Sequence, residues 1–157
     1  MDLVTLVYDY LKLDPTFVEI IDWNKANGFI SLEDSGISVG INRERYESGS
    51  RDYDYCTSIM SIVCWIREED QATGENMIRE LAHNIRLSLS EDEGRTLNGQ
   101  VIGGFVSGIE YLSTKAEDTL MLHIAEITYE VEYQEDRMRP QQASTVLSIS
   151  NDIDIER

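Results

Sequence analysis

Basic residues are scarce in this chain. Lys and Arg total 13 against 30 Asp and Glu, for a net charge of −17. Neutralisation of phosphates by Lys and Arg drives nucleic-acid binding, and anionic membranes attract the same residues, so the balance argues against both as docking surfaces. It leaves the acids two uses: plain solubility, or a lined passage or face that meets a basic partner. Cysteine is nearly absent. Cys56 and Cys64 stand eight positions apart in one strand-like run. That is about 26 Å of extended chain, too far for a disulfide between them, so both read as buried small hydrophobes. No apolar run approaches the roughly 20 residues of a bilayer span. The opening MDLVTLVYDY carries an acid where a signal peptide would be basic, which points to a cytoplasmic product and no membrane.

Catalytic motifs are missing too. Neither His83 nor His123 has a cysteine or carboxylate at ligand spacing. Ser58, Ser61 and Ser107 lack the setting of an activated nucleophile, and the carboxylates form no defensible acid–base pair. The expectation is a protein that is not an enzyme and takes no metal or cofactor.

What is present is periodicity. From Asp70 to Ser90, Met77, Ile78, Leu81, Ala82, Ile85 and Leu89 recur at helical spacing and share one face. Asp70 or Thr73 can cap the start, and Glu75 and Arg79 stand four apart on the polar side. A helix of this length needs its apolar face covered. A second, shorter stripe runs through Leu3, Leu6, Val7, Tyr10 and Leu11 and stops before Asp14-Pro15. Phe17 to Trp23 is ambiguous between strand and short helix, and Asn27-Gly28 marks a turn.

Strands flank the long helix. Gly36 to Glu47 and Tyr55 to Arg67 read as a hairpin with an exposed tip at about Ser48 to Asp54. The second strand has Ile59, Val63 and Trp65 on one face and Met60, Ile62, Cys64 and Ile66 on the other. Apolar residues on both faces predict cover by the helix on one side and a second subunit on the other. After a turn-rich acidic loop, Gln100 to Thr114 places Val101, Phe105, Ile109 and Tyr111 on one side. Gly103, Gly104 and Gly108 interrupt it, which predicts a bulge or close backbone approach. Thr119 to Gln134 alternates cleanly, with Ala125, Ile127, Tyr129, Val131 and Tyr133 against Glu126, Thr128, Glu130, Glu132 and Gln134. Past Pro140, Leu147, Ile149, Ile153 and Ile155 alternate with polar residues. That pattern suits either a last strand or an arm that adds to a neighbour's sheet edge.

The fold class expected is therefore α+β over residues 1–135: a mixed, mostly antiparallel sheet packed against one central amphipathic helix plus an N-terminal helix. Residues 136–157 form a C-terminal extension or arm. Candidate interaction residues are Glu44, Glu47, Arg51, Asp52 and Asp54 at the hairpin tip, with Leu87 on the polar side of the helix and Leu147, Ile149, Ile153 and Ile155 in the arm.

The segments TLVYDYLK, IIDWNKANG, SIMSIVCWIREEDQATGENMIRELAHNIRLSL, GFVSGIEYL and LHIAEITYEVEYQ, in that order, resemble the tail terminator, or tail completion, proteins of long-tailed bacteriophages. The resemblance spans about residues 3–135 and is one of element order. It implies a hexameric ring in the virion tail or neck, assembled in the host cytoplasm. Its partners would be further copies of itself, tail-tube and neck proteins, and double-stranded DNA passing through the lumen without sequence-specific binding. The acidic balance fits a lumen that does not hold DNA. A different class fits the charge as well: a small acidic inhibitor or immunity protein that masks a basic partner.

Overall fold

In the computed structural model, which describes residues 1–117 and 119–137, three helices and five strands follow the chain. Asp2 caps the first helix, α1 (Leu3–Lys12), by accepting from the Thr5 amide at 3.0 Å. Asp14 caps a single 3₁₀ turn at Pro15–Phe17, and a short β1 (Asp22–Asn24) follows. This settles the ambiguous Phe17 to Trp23 stretch as both, one after the other. The hairpin is β2 (Ser35–Ser48) and β3 (Tyr53–Glu68). The long helix is α2 (Gln71–Ser90), capped by Asp70, whose Oδ2 accepts from the Thr73 amide at 2.9 Å. Gln71, and not Arg79, pairs with Glu75.

The acidic loop after α2 is more ordered than its composition suggests. It makes α3 (Asp92–Arg95) and then a left-handed run at Leu97, Asn98 and Gly99. That run turns the Leu97 side chain into the core. The strands β4 (Gly103–Lys115) and β5 (Met121–Asp136) complete a five-stranded sheet of order β1-β2-β3-β5-β4. Among the described residues only β1 pairs in parallel. The α+β class, with a mixed and mostly antiparallel sheet, is what the sequence predicts.

One face of the sheet carries the core. Ile37, Val39, Cys56, Met60, Ile62, Cys64, Ala125, Ile127, Tyr129, Val131 and Tyr133 pack there beneath α1 and α2. The helices contribute Leu3, Val7, Leu11, Ile78, Leu81, Ala82, Ile85 and Leu89. Met77 departs from the expected stripe: it is 40 % exposed, and Gly74 and Ser88 are buried in its stead. Helix and sheet approach so closely at Gly74 that a Cβ there would lie 2.0 Å from Nε2 of His123. That histidine is fully buried, with Nδ1 2.8 Å from the Ser113 hydroxyl. Buried Tyr129 offers a hydroxyl with no hydrogen-bond partner among the described residues.

The other face corrects the reading that a second subunit covers Val63 and Trp65. The chain itself does so with residues 25–34. Trp65 Nε1 donates to the Glu33 carbonyl at 3.2 Å, Ser38 Oγ donates to the Phe29 carbonyl, and Arg67 donates to the Ser31 and Glu33 carbonyls. Loop carbonyls need donors when they lie on a sheet, and Trp65, Ser38 and Arg67 supply them. Gly36 lets the loop and sheet close on the indole, since any Cβ there would overlap it.

Phe105 is also corrected. The register of β4 against β5 slips between Val106 and Gly108, so Ser107 is an extra residue. The predicted bulge is thus present, and it reverses the alternation. Phe105 lies opposite Glu130 on the outer face, 58 % exposed, while Ile109 lies opposite Ile127 on the core face. A matching slip between Ile41 and Arg43 makes Asn42 extra in β2.

Candidate functional site

Beyond the core, the strands β2, β3 and β5 run on as a three-stranded end that β4 does not reach. Its last rows join Ser48 to Asp54 and Glu135, then Tyr53 to Asp136. The tip residues Gly49–Asp52 connect β2 to β3. This end brings together the hairpin residues singled out from the sequence. Glu44 lies on the core-side extension, and its carboxylate accepts from the Tyr46 hydroxyl. That hydrogen bond chiefly holds the phenol protonated, raising it above its ordinary range. Glu47 is exposed on the outer side, in register with Tyr55. The Tyr53 and Tyr55 rings meet edge-on at 5.4 Å.

Arg51, Asp52 and Asp54 are gathered by a residue that carries no signal in the sequence, Arg137. Its guanidinium donates to Asp54 Oδ1 at 2.8 Å, to the Ser48 hydroxyl at 2.6 Å and to the Arg51 carbonyl at 3.5 Å. Its backbone amide donates to the Asp52 carbonyl at 3.0 Å. The end of β5 thereby fastens the hairpin tip. A single arginine satisfies several turn acceptors here because its planar fork presents five donors. Near the same end, the Met1 ammonium lies 4.0 Å from Glu135. Cys56 Sγ sits 3.7 Å from that carboxylate, and burial together with Glu135 pushes its thiol up to about 11. Cys64, fully buried, is pushed up to about 12 by desolvation. Neither thiol has the electropositive setting of a reactive cysteine.

A depression of about 670 Å³ opens at this end between Arg45, Tyr46, Tyr55, Ile102, Glu132 and Tyr133. Its rim mixes one arginine with carboxylates and phenols, a surface suited to a polar protein contact more than to an enclosed small molecule. Among the described residues no group of three or more His, Cys, Asp and Glu is placed to hold a metal ion. No helix among them is long and apolar enough to cross a membrane.

Leu87 belongs to α2 and not to the hairpin. It is 44 % exposed on the outward side of α2, as the helical spacing predicts. Leu147, Ile149, Ile153 and Ile155 lie outside the described residues. Sequence reasoning missed Arg137 and the covering residues 25–34, neither of which carries a periodic pattern. It also passed over Arg43 and Arg45, whose meaning comes only from their register partners on the sheet.

No family model matches the sequence, and the comparison with curated proteins finds no match. Solved structures do share the fold. A chain of the structure described as "Virion of native gene transfer agent (GTA) particle" is similar with a TM-score of 0.58 at 14 % identity. The alignment covers 85 % of this chain and 95 % of that one. The α+β arrangement of this chain therefore recurs, nearly whole, as a component of a virion particle.

Proposed function

We propose that this chain is a structural virion protein that forms a hexameric ring, closes the tail tube and joins it to the neck. In this reading it is not an enzyme. It acts in the virion tail or neck after assembly in the host cytoplasm, and double-stranded DNA passes through its lumen unread. The observation that carries the proposal is the fold shared over 85 % of this chain with a chain of a gene transfer agent virion. Two further features support it. The hairpin end offers an exposed polar and aromatic surface fastened by Arg137, and the net charge of −17 suits a wall along which DNA slides.

The test is assembly. Purified protein is mixed with tail tubes and followed by electron microscopy and native mass spectrometry. Rings seated on tube ends are expected. A chain that stays monomeric and never joins tubes overturns the proposal. Recovery from a pull-down of a basic enzyme, with affinity falling steeply in salt, would replace it with the inhibitor reading.

A further inference from the structure

On the outer face of the sheet two adjacent rows are sorted by charge from one edge to the other, beside a further row that carries Glu47 on β2. The register joins Arg43, Ile59, Glu130 and Phe105 in one row and Arg45, Thr57, Glu132 and Gly103 in the next. The β2 edge of these rows is thus basic, and Glu130 and Glu132 lie one strand in from the opposite edge. Glu126 and Glu110 extend the acidic side in a further row. Among the described residues, both edges lack a strand neighbour at this level. β1 pairs only with Gly36–Ser38, and Asn27 reaches no farther along β2 than Ile41 and Asn42. On β4, pairing among the described residues is to β5 alone. Arg43–Ser48 are exposed throughout.

Monomeric sheets guard long edges with prolines, inward charges, bulges or a covering element. On β4 the guards stand aside from the rows in question, and on β2 the bulge at Asn42 adjoins them. The β4 bulge lies at Ser107, leaving Gly103–Val106 regular, and its one lysine is at the far end, Lys115. The direction of the strands matches as well. β2 and β4 run oppositely, since each is antiparallel to one of the antiparallel pair β3 and β5. A second copy turned about a ring axis keeps its strand directions. Its β2 therefore meets this copy's β4 antiparallel, and the sheet continues with no change of pattern.

We infer that Arg43–Arg45 of one copy pairs with Gly103–Phe105 of the next, Arg43 opposite Phe105, and that this edge-to-edge contact builds the ring. Arg43 and Arg45 then lie over Phe105 and reach Glu130 and Glu132 of the neighbouring copy. Glu44 points to the other face, in the row that ends in Gly104, which has no side chain to oppose it. This contact rests on the ring reading above, and the experiment separates the two.

Full-length chains bearing Arg43→Cys and, separately, Phe105→Cys are mixed with tail tubes and oxidised mildly, and disulfides are mapped by mass spectrometry. Within one chain the two positions are three strand spacings apart, about 14 Å, so a bond can form only between copies. A disulfide between positions 43 and 105 in the mixture, and in neither variant alone, is expected. The chain bearing both substitutions should give a ladder that ends at the ring number. In parallel, the Arg43→Glu, Arg45→Glu chain should assemble about tenfold more weakly at low salt, with the gap narrowing as salt rises. Wild-type rings on tubes without any such disulfide overturn the edge contact and leave the ring reading standing. The disulfide in an open ladder that never closes upholds the contact and overturns the ring. Absence of both rings and disulfide overturns both.

Discussion

The two faces of one sheet solve different problems with the same five strands. On the face beneath α1 and α2, alternate residues from Ile37 to Val131 are mostly apolar and closed off, with Ser58, His123, Tyr129 and Tyr133 as buried polar side chains among them. On the other face, closure stops halfway. Residues 25–34 seal Ser38, Val63 and Trp65, and the acidic rows of β5 and β4 stay open. The first face shows what the chain needs in order to fold. The second shows what remains once folding is satisfied, and there the charges are arranged and not merely abundant.

The largest effect should come from Ile127, which is fully buried on the helix face. Ile127→Ala should cost about 2–5 kcal/mol in denaturant unfolding. Glu126→Ala, its exposed neighbour on the outer face, should change stability by less than about 0.5 kcal/mol. Similar costs for both would erase the contrast. Next come the close approaches. Gly36→Ala drives a Cβ into Trp65 on the loop-sealed half, and Gly74→Ala drives one into His123 on the helix face. Each should destabilise by roughly 1–3 kcal/mol. A neutral Gly36→Ala would mean that residues 25–34 seal the outer face only loosely.

A smaller effect is expected at Asp14, which joins the two helices of the closed face. Burial pushes its carboxyl up, but hydrogen bonds from the Ser88 hydroxyl, at 2.7 Å, and from Thr16 outweigh that and hold it below its ordinary value of 3.8. A carboxylate lowered in the folded state stabilises above the unfolded value, and the gain fades as pH falls through the folded value. Asp14→Asn should therefore lower the melting temperature at pH 7, by an amount reduced because the group is largely solvated, and less so below about pH 4. A gap that widens in acid would assign Asp14 another role. The smallest effect is Tyr129→Phe. The Tyr129 hydroxyl is buried without a described partner, so removing it should be neutral or stabilising by up to about 1 kcal/mol. A loss of more than that would reveal a partner on the closed face.

The legible and illegible parts of the sequence divide along the same line. Helix α2 and strand β5 could be read because burial on one face imprints a period on the residues. The N-cap at Asp70 and the turn at Asn27-Gly28, with Gly28 at φ +69°, are local chemistry and equally readable. The outer face leaves no such imprint. Val63 and Trp65 show that something covers them, but a loop without periodicity does so, and a second subunit would write the same pattern. Phe105 was placed on the wrong side because one extra residue reverses parity, and glycines signal a bulge without fixing its position. For the candidate site, the exposed hairpin tip was legible in its polarity. Its fastening by Arg137 was not, because a lone arginine 83 residues from Asp54 in sequence announces no partner.

The two bulges have a shared geometric consequence. Asn42 and Ser107 are extra residues in the two strands that flank the β3–β5 pair, and both fall beside the row through Met60 and Tyr129. The rims of the sheet are therefore longer than its midline at that level. A surface with long rims and a short midline cannot lie flat, and it resolves the mismatch as a saddle. Twist already bends every sheet in this sense, and bulges deepen it. One side of a saddle is a trough along the strands, and the other is a trough across them. A rod-like helix can lie in the first, and a rounded neighbour can sit in the second.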